Sequence, residues 1–271
     1  MGVKWEKDAE ELLRRVPFFV RKRVKRAVEK YVSRKGRGRV TARDLLEAKE
    51  ALRDRASKVE EGFAVEDCFG CDNAVISSDA LPSQVEEVLR RAGLTEFLQK
   101  KAGEELKHHH QFRVVFSCCP NACSQGQIRD VAFIGRVEPV VQGPCSRCGA
   151  CEEACEEGAI RLTDSGPQID PTKCLGCGAC IKVCPEGTIR EGQKGYRLLV
   201  GGKLGRHPRL ATELLPLVPK EEVLRVVEAL VNLYKELNEK GERLGTVIQR
   251  VGWQKFCESF RDRLQQGGEV R

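Results

Sequence analysis

No apolar run in the chain approaches the roughly 18–20 residues that a membrane-crossing helix needs, so none of it reads as a transmembrane span. Residues Met1 to Arg15 lack the apolar core and small-residue cleavage site of a secretory signal. Aromatic residues make up only 6% of the sequence, and no nucleic-acid recognition motif accompanies the net charge of +7. The positive charge is densest between Arg14 and Arg43, and such runs usually mark solvated faces, so a nucleic-acid partner is not expected. A phosphate-binding loop is missing too: the glycine-rich Gly201-Gly202-Lys203-Leu204-Gly205 does not have the G-x4-G-K-[ST] spacing.

Cysteine, by contrast, is abundant. Fourteen cysteines would suit a disulfide scaffold, but their tight C-x2-C and C-x3-C clusters speak for metal instead. Such thiolates survive best in a reducing compartment, which makes an anaerobic cytoplasm the expected location. Cys145, Cys148, Cys151 and Cys155 form one C-x2-C-x2-C-x3-C run, and Cys174, Cys177, Cys180 and Cys184 repeat it, with Pro185 following. Flanking G-A-I and G-T-I segments repeat as well, so residues 144–190 read as an internal duplication. Paired C-x2-C motifs also bind zinc, but eight cysteines in this duplicated register favour iron–sulfur clusters.

A further group is split along the chain. Cys119 and Cys123 form a C-x3-C after the alternating strand pattern of Phe112, Val114 and Phe116, with Pro120 and Asn121 forcing a turn. Two thiolates cannot complete a four-thiolate site, and Cys68 with Cys71 is the remaining close pair. The four read as one more [4Fe–4S] cluster. Cys118 is an alternative to Cys119.

In chain order, residues 1–57 read as a three-helix module: Trp5 to Arg15, then a helix opened by Pro17 and running to about Ser33 through Phe18, Val20, Val24, Val28 and Tyr31. The third begins at a Thr41/Asp44 capping box and continues through Leu45 and Leu52. Residues 58–143 carry helices over Pro82–Arg91 and Thr95–Leu106, the strand to Phe116, and a strand from Val131 to Ile134 ending at Gly135. His108, His109 and His110 cannot all reach one ion from a strand, where neighbours point to alternate faces, so they read as solvated or substrate-facing. Residues 191–271 hold a strand, Tyr196–Val200, and a glycine-rich loop, Gly201 to Pro208, that permits close approach to a cofactor. Next come a long amphipathic helix after Pro219 and a closing helix carrying Cys257, which reads as a buried apolar filler.

Several of these stretches are familiar. C-C-P-N-A-C-S-Q-G-Q-I-R-D-V-A-F-I-G, G-Y-R-L-L-V-G-G-K-L-G-R-H-P-R-L-A and R-L-G-T-V-I-Q-R-V-G-W-Q-K-F resemble motifs of the sirohaem sulfite and nitrite reductases. The resemblance covers roughly residues 66–265. It departs in the first cysteine pair, C-x2-C here where the family usually has C-x5-C, and in lacking the half-domain that precedes that pair. The duplicated segment resembles bacterial two-cluster ferredoxins, in which the fourth cysteine of each run ligates the other cluster. That resemblance implies one cluster on Cys145, Cys148, Cys151 and Cys184 and another on Cys174, Cys177, Cys180 and Cys155. W-x3-A-x2-L-L-x2-V-P-x-F-V-R with V-T-A-R-D-L-L-E-A resembles the small C-terminal domain of the light-independent protochlorophyllide reductase B subunit.

The expected fold is therefore α+β: a sulfite-reductase-like, helix-covered mixed sheet with an inserted two-cluster ferredoxin and an N-terminal three-helix module. The resemblance implies three [4Fe–4S] clusters and a sirohaem bridged through Cys123. Arg136, Lys203, Arg206 and Arg209, beside the matching motifs, are the candidates for its carboxylates and for a sulfite or nitrite oxyanion. A donor protein or reduced ferredoxin would supply single electrons, and a homodimer or second subunit would complete the sirohaem site. The alternative is an electron-transfer iron–sulfur protein without sirohaem that feeds a partner enzyme.

Overall fold

A computed structural model describes residues 3–16, 18–57, 59–68 and 70–266, which divide into two units. The first comprises Met1–Glu60 with Glu105–His108, the second Glu61–Glu104 with His109–Arg271.

In the first unit, β1 (Lys4–Trp5), α1 (Lys7–Arg14), α2 (Phe18–Arg34), β2 (Arg39–Val40) and α3 (Ala42–Ser57) follow one another, with β1 and β2 pairing in parallel. Trp5 was expected to open the first helix. It lies instead on β1, where it pairs with Val40 and its indole N–H donates to Glu29 at 3.0 Å. The core is Ala9, Leu13, Val28, Val32, Val40, Leu45 and Ala48, each presented at helical or strand spacing. The expectations for Pro17 and for the Phe18, Val20 and Leu52 side chains fall outside what the structure describes.

The capping box is present. Asp44 accepts from the Thr41 N–H (3.0 Å) and hydroxyl (2.8 Å), the Thr41 hydroxyl accepts from the Asp44 N–H (3.2 Å), and Arg37 pairs with the same carboxylate. Burial alone would push this carboxyl up, but the Thr41 donors and Arg37 outweigh it and hold its pKa below the usual value. A depressed folded pKa stabilises above the ordinary carboxylate range, and that stability is lost as pH falls through the folded value. Hydrogen-exchange protection of α3 amides should therefore fall steeply below about pH 4. Asp44→Asn should start lower and flatten the dependence; an equally steep fall in that variant would remove Asp44 as its source.

The second unit is organised by a five-stranded mixed sheet in the order β3 (Phe63–Glu66), β4 (Phe112–Ser117), β5 (Val131–Val141), β8 (Ile189–Val200), β9 (Thr212–Val218). β3, β4 and β5 are parallel, so the C-terminal ends of β3 and β4 lie side by side, while β8 and β9 are antiparallel neighbours. α4 (Leu81–Arg91) and α5 (Leu94–Ala102) fall between β3 and β4. The segment between β5 and β8 carries α6 (Ala150–Glu153), the hairpin β6–β7 (Ile160–Thr163, Gly166–Ile169) and α7 (Ala179–Val183). α8 (Val223–Leu237) packs with α4 and α10 (Trp253–Gln266). Alternation divides the sheet residues between two faces. Phe112, Phe116, Phe133 and Tyr196 share one with Tyr234 of α8, and Val115, Ala132, Ile134 and Leu199 pack with Ala122 on the other.

Five expectations are corrected. The second strand does not end at Gly135 but runs to Val141, paired with a β8 that begins at Ile189 rather than Tyr196. Gly135 marks a close approach instead of a stop: a Cβ there would lie 2.7 Å from the Cys118 carbonyl oxygen and 2.6 Å from Ile76. α5 stops at Ala102, because Gly103 leaves helical space at φ 106°. The closing helix is two, α9 (Leu244–Val251) and α10, parted by Gly252 at φ 94°. Cys257 on α10 is half-buried rather than buried. β9 carried no expectation at all.

Candidate metal centres

Two strand ends build the first centre. Cys68 follows β3, and its N–H donates to the Phe116 carbonyl of β4 (3.1 Å). The chain then loops back so that the Val75 and Ile76 amides donate to the Cys118 carbonyl at 2.9 and 3.3 Å. After β4, the turn from Cys119 to Gln125 holds Ala122 (φ 47°) and Gln125 (φ 59°) in the left-handed region, a strain expected where structure around a site enforces it. Ser124 anchors the turn, its hydroxyl donating to the Phe116 carbonyl (3.1 Å).

Cys68, Cys71, Cys119 and Cys123 line one cavity of about 490 Å³, together with Glu66, Asp67, Cys118 and Arg129. Burial pushes the Cys119 thiol up; the Asn121 N–H opposes this, and the neighbouring Cys71, Cys123 and Cys68 add to it. Cys118 borders the same cavity: its Sγ, the Cys68 Sγ and an Asp67 carboxylate oxygen lie within 4.8 Å of one another, and its N–H donates to the Cys68 sulfur at 3.1 Å. Burial, then Cys68, pushes its thiol up to about 12.

The eight cysteines of the duplicated segment separate into two groups that cross between the runs. Cys145, Cys148, Cys151 and Cys184 line one small cavity. Cys180, pushed up to about 11 by burial, has Cys174, Cys177 and Cys155 as neighbours that add to the shift. Left-handed Gly149 and Gly178 open α6 and α7, turning each run so that its third cysteine is buried. The segment is tied to the sheet: Val137 N–H donates to the Gly176 carbonyl (2.9 Å), and Lys182 Nζ donates to the Asp72 carbonyl (2.5 Å). A groove there is lined by Asn73, Cys119, Pro120 and Asn121 together with Cys155, Leu175, Cys177 and Lys182.

The basic candidates lie apart from the 490 Å³ cavity. Arg136 donates to the Pro216 carbonyl (3.2 Å), Lys203 to the Thr246 hydroxyl (2.8 Å) and Arg209 to the Gly245 carbonyl (3.3 Å), while Arg206 is exposed. The glycine-rich loop approaches the chain's own backbone: a Cβ on Gly202 would lie 2.5 Å from the Gln127 carbonyl oxygen. His108 and His109 are exposed on a turn. Arg129, paired with Glu66 at 2.7 Å, is the cation that borders the cavity. It sits inside the S-Q-G-Q-I-R-D stretch, where its charge beside the cysteine turn was the available signal.

One cysteine-lined cavity at the strand ends of a mixed sheet, with two further cysteine groups in the segment between β5 and β8, gives an α+β protein its candidate metal centres. Residues 91–267 match the nitrite and sulphite reductase 4Fe-4S domain, and the chain belongs to that family. Residues 5–49 match the proto-chlorophyllide reductase 57 kD subunit. A coenzyme F420-dependent sulfite reductase of Methanocaldococcus jannaschii is 36% identical over 159 residues, 58% of this chain and 26% of that protein. The dissimilatory-type sulfite reductase subunit beta of Archaeoglobus fulgidus is 29% identical over 164 residues, 54% of this chain and 44% of that one. The chain thus spans less than half the length of either relative. The crystal structure of dissimilatory sulfite reductase I shares the fold, with a TM-score of 0.51 and 22% identity over 73% of this chain and 51% of that one. Among the described residues, no helix is long and apolar enough to cross a membrane.

Proposed function

We propose that the chain is the electron-delivering and cluster-bearing part of a sirohaem-dependent reductase acting on sulfite or nitrite. Cys68, Cys71, Cys119 and Cys123 would hold one [4Fe–4S] cluster, Cys145, Cys148, Cys151 and Cys184 a second, and Cys155, Cys174, Cys177 and Cys180 a third. The donor set suits them: all-thiol tetrads, partly buried, with backbone N–H groups aimed at sulfur (Cys118 to Cys68 at 3.1 Å, Arg147 to Cys145 at 3.3 Å, Ala159 to Cys155 at 3.3 Å). The observation that carries the reading is the groove that Cys119, Cys155 and Cys177 line together. It supports single-electron passage from the inserted clusters to the one at the strand ends, with a donor protein engaging the Cys145 end.

Clusters supply one-electron redox chemistry; sirohaem, when bound, supplies an iron at which an oxyanion is reduced. Cys123, exposed at the cavity, would be the cysteine nearest such a group, and Arg129 would offer it a cation for an anionic substituent. A second copy or another subunit would supply the remaining walls. A carrier without sirohaem is the second reading. It is favoured by the side chains of Arg136, Lys203 and Arg209, which bond to the chain's own atoms.

Anaerobically purified protein, supplied with sirohaem during expression, should contain about twelve iron atoms per chain by the four-iron count. It should also show tetrapyrrole absorption and oxidise reduced methyl viologen when sulfite or nitrite is added. Iron at that level with neither tetrapyrrole nor turnover would select the carrier.

A further inference from the structure

Arg136 lies on β5 where that strand meets the inserted segment. The Val137 N–H donates to the Gly176 carbonyl at 2.9 Å. A Cβ on Gly176 would lie 2.9 Å from the Val137 carbonyl oxygen, 3.0 Å from the Arg136 Cβ and 3.3 Å from the Arg136 Nε, so only glycine fits against this part of the strand. Gly176 immediately precedes Cys177, and consecutive Cα atoms are ~3.8 Å apart, which puts the Arg136 Nε within about 9 Å of the Cys177 Cα. The duplication offers a comparison. In the first run the position equivalent to Gly176 is Arg147, left-handed at φ 56° where Gly176 has φ 73°. The Arg147 side chain is 59% exposed and pairs with Asp164 at 3.5 Å, so its charge is solvated and answered. Arg136 differs on both counts. It is half-buried, its NH1 donates to a neutral group, the Pro216 carbonyl (3.2 Å), and among the described residues no carboxylate pairs with it. Its Nε is enclosed and has no hydrogen-bond partner among the described residues. A cation drawn out of water in this way is unfavourable unless negative charge lies near it.

We propose that Arg136 supplies the charge that sets the reduction potential of the cluster on Cys155, Cys174, Cys177 and Cys180 above that of the cluster on Cys145, Cys148, Cys151 and Cys184. Reduction adds one negative charge to a cluster, and an unpaired cation nearby, partly withdrawn from water, stabilises that charge. One electron then leaves the cluster on the Cys145 side, oxidising it, and reduces the cluster on the Cys174 side, with no bond or proton changed. The downhill step leads toward the groove that Cys119, Cys155 and Cys177 line. The inference rests on the proposed ligand sets of those two clusters. It gives a role to a residue that neither ligates nor borders the strand-end cavity.

The test is a potentiometric titration followed by electron paramagnetic resonance on the anaerobic full-length protein, with iron analysis of every sample. The signals lost in Cys174→Ala and in Cys145→Ala identify the two clusters; if neither variant loses a signal, the ligand sets fail, separately from this inference. In the unaltered protein the Cys174-side cluster should titrate at the higher potential, and the reverse order would overturn the proposal. Arg136→Met removes the charge and keeps most of the length. At a fixed applied potential it should lower the ratio of reduced to oxidised Cys174-side cluster about tenfold, the order expected for one charge at such a distance in a partly buried site. The Cys145-side cluster should not move, and iron should stay complete. Arg136→Lys keeps the charge and should restore most of the shift, whereas Arg147→Met should shift its own cluster far less than Arg136→Met shifts its neighbour. An unmoved potential in Arg136→Met, or an equal fall in Arg136→Lys, would overturn the inference, the second by tracing the effect to shape rather than charge. Should Arg136→Met fail to fold, Arg136→Gln read against Arg136→Lys decides in the same way.

Discussion

Replacing Asp130 with alanine is expected to destabilise the larger unit by about 3–5 kcal/mol, read as a lowered midpoint in urea denaturation. Asp130 is fully buried between the cysteine turn and β5. Its carboxylate accepts from the Arg243 guanidinium at 2.8 and 3.0 Å, from the Leu244 N–H at 3.2 Å and from the Arg113 N–H at 2.9 Å. Burial alone would lower the Arg243 pKa, but Asp130, by charge and by hydrogen bond, holds it above its usual value. Alanine would leave a largely buried guanidinium and two amides without their acceptor, whereas asparagine keeps the shape and should cost less. One carboxylate thus ties β4, β5 and the start of α9 together beneath the cysteine turn. A change below about 1 kcal/mol in Asp130→Ala would mean that water or another group takes over the guanidinium.

The second large effect concerns Cys155, which belongs to the first cysteine run by sequence and to the second by position. Cys155→Ala should remove about four of about twelve iron atoms. The lost paramagnetic signal should be the one lost in Cys174→Ala, while Cys145→Ala and Cys184→Ala should share a different loss. The reason is geometric: Cys184 lines the cavity with Cys145, Cys148 and Cys151, and Cys180 has Cys155 among its neighbours. If Cys155→Ala and Cys145→Ala lost the same signal, each run would be holding its own cluster and the crossed pairing would be wrong.

What could be read in advance followed from local chemistry. Eight cysteines in a repeated register, the Thr41–Asp44 box and the alternation of Phe112, Val114 and Phe116 each constrain only near neighbours, and each is visible within a few residues. The departures share a longer reach. Trp5 has the spacing of a helix start, but pairing with Val40, far along the chain, draws it into a strand. Gly135 looks like a terminator until the Cys118 carbonyl is seen against it. Arg129 and Asp130 are ordinary residues in sequence, and their meaning arises from partners on other strands and helices. The basic residues singled out beside the motifs were chosen by adjacency in sequence, which says nothing of where a long side chain turns.

The pairing of β5 with β8 has a consequence for how the molecule assembles. Val141 and Ile189 are partners in the ladder, and the segment 142–188 between them must be closed before that rung can form. Closing an unstructured loop of about 47 residues costs about 3 kcal/mol in chain entropy, by the logarithmic dependence on length. A segment already gathered around metal presents two nearby ends and avoids most of that cost, since metal binding and folding of such a segment are one equilibrium. Supply of iron and sulfide would then set the rate at which the central strands meet. Chains made under iron limitation would pause with β3 to β5 formed and β8 and β9 still unpaired, displaying an open sheet edge to the cell.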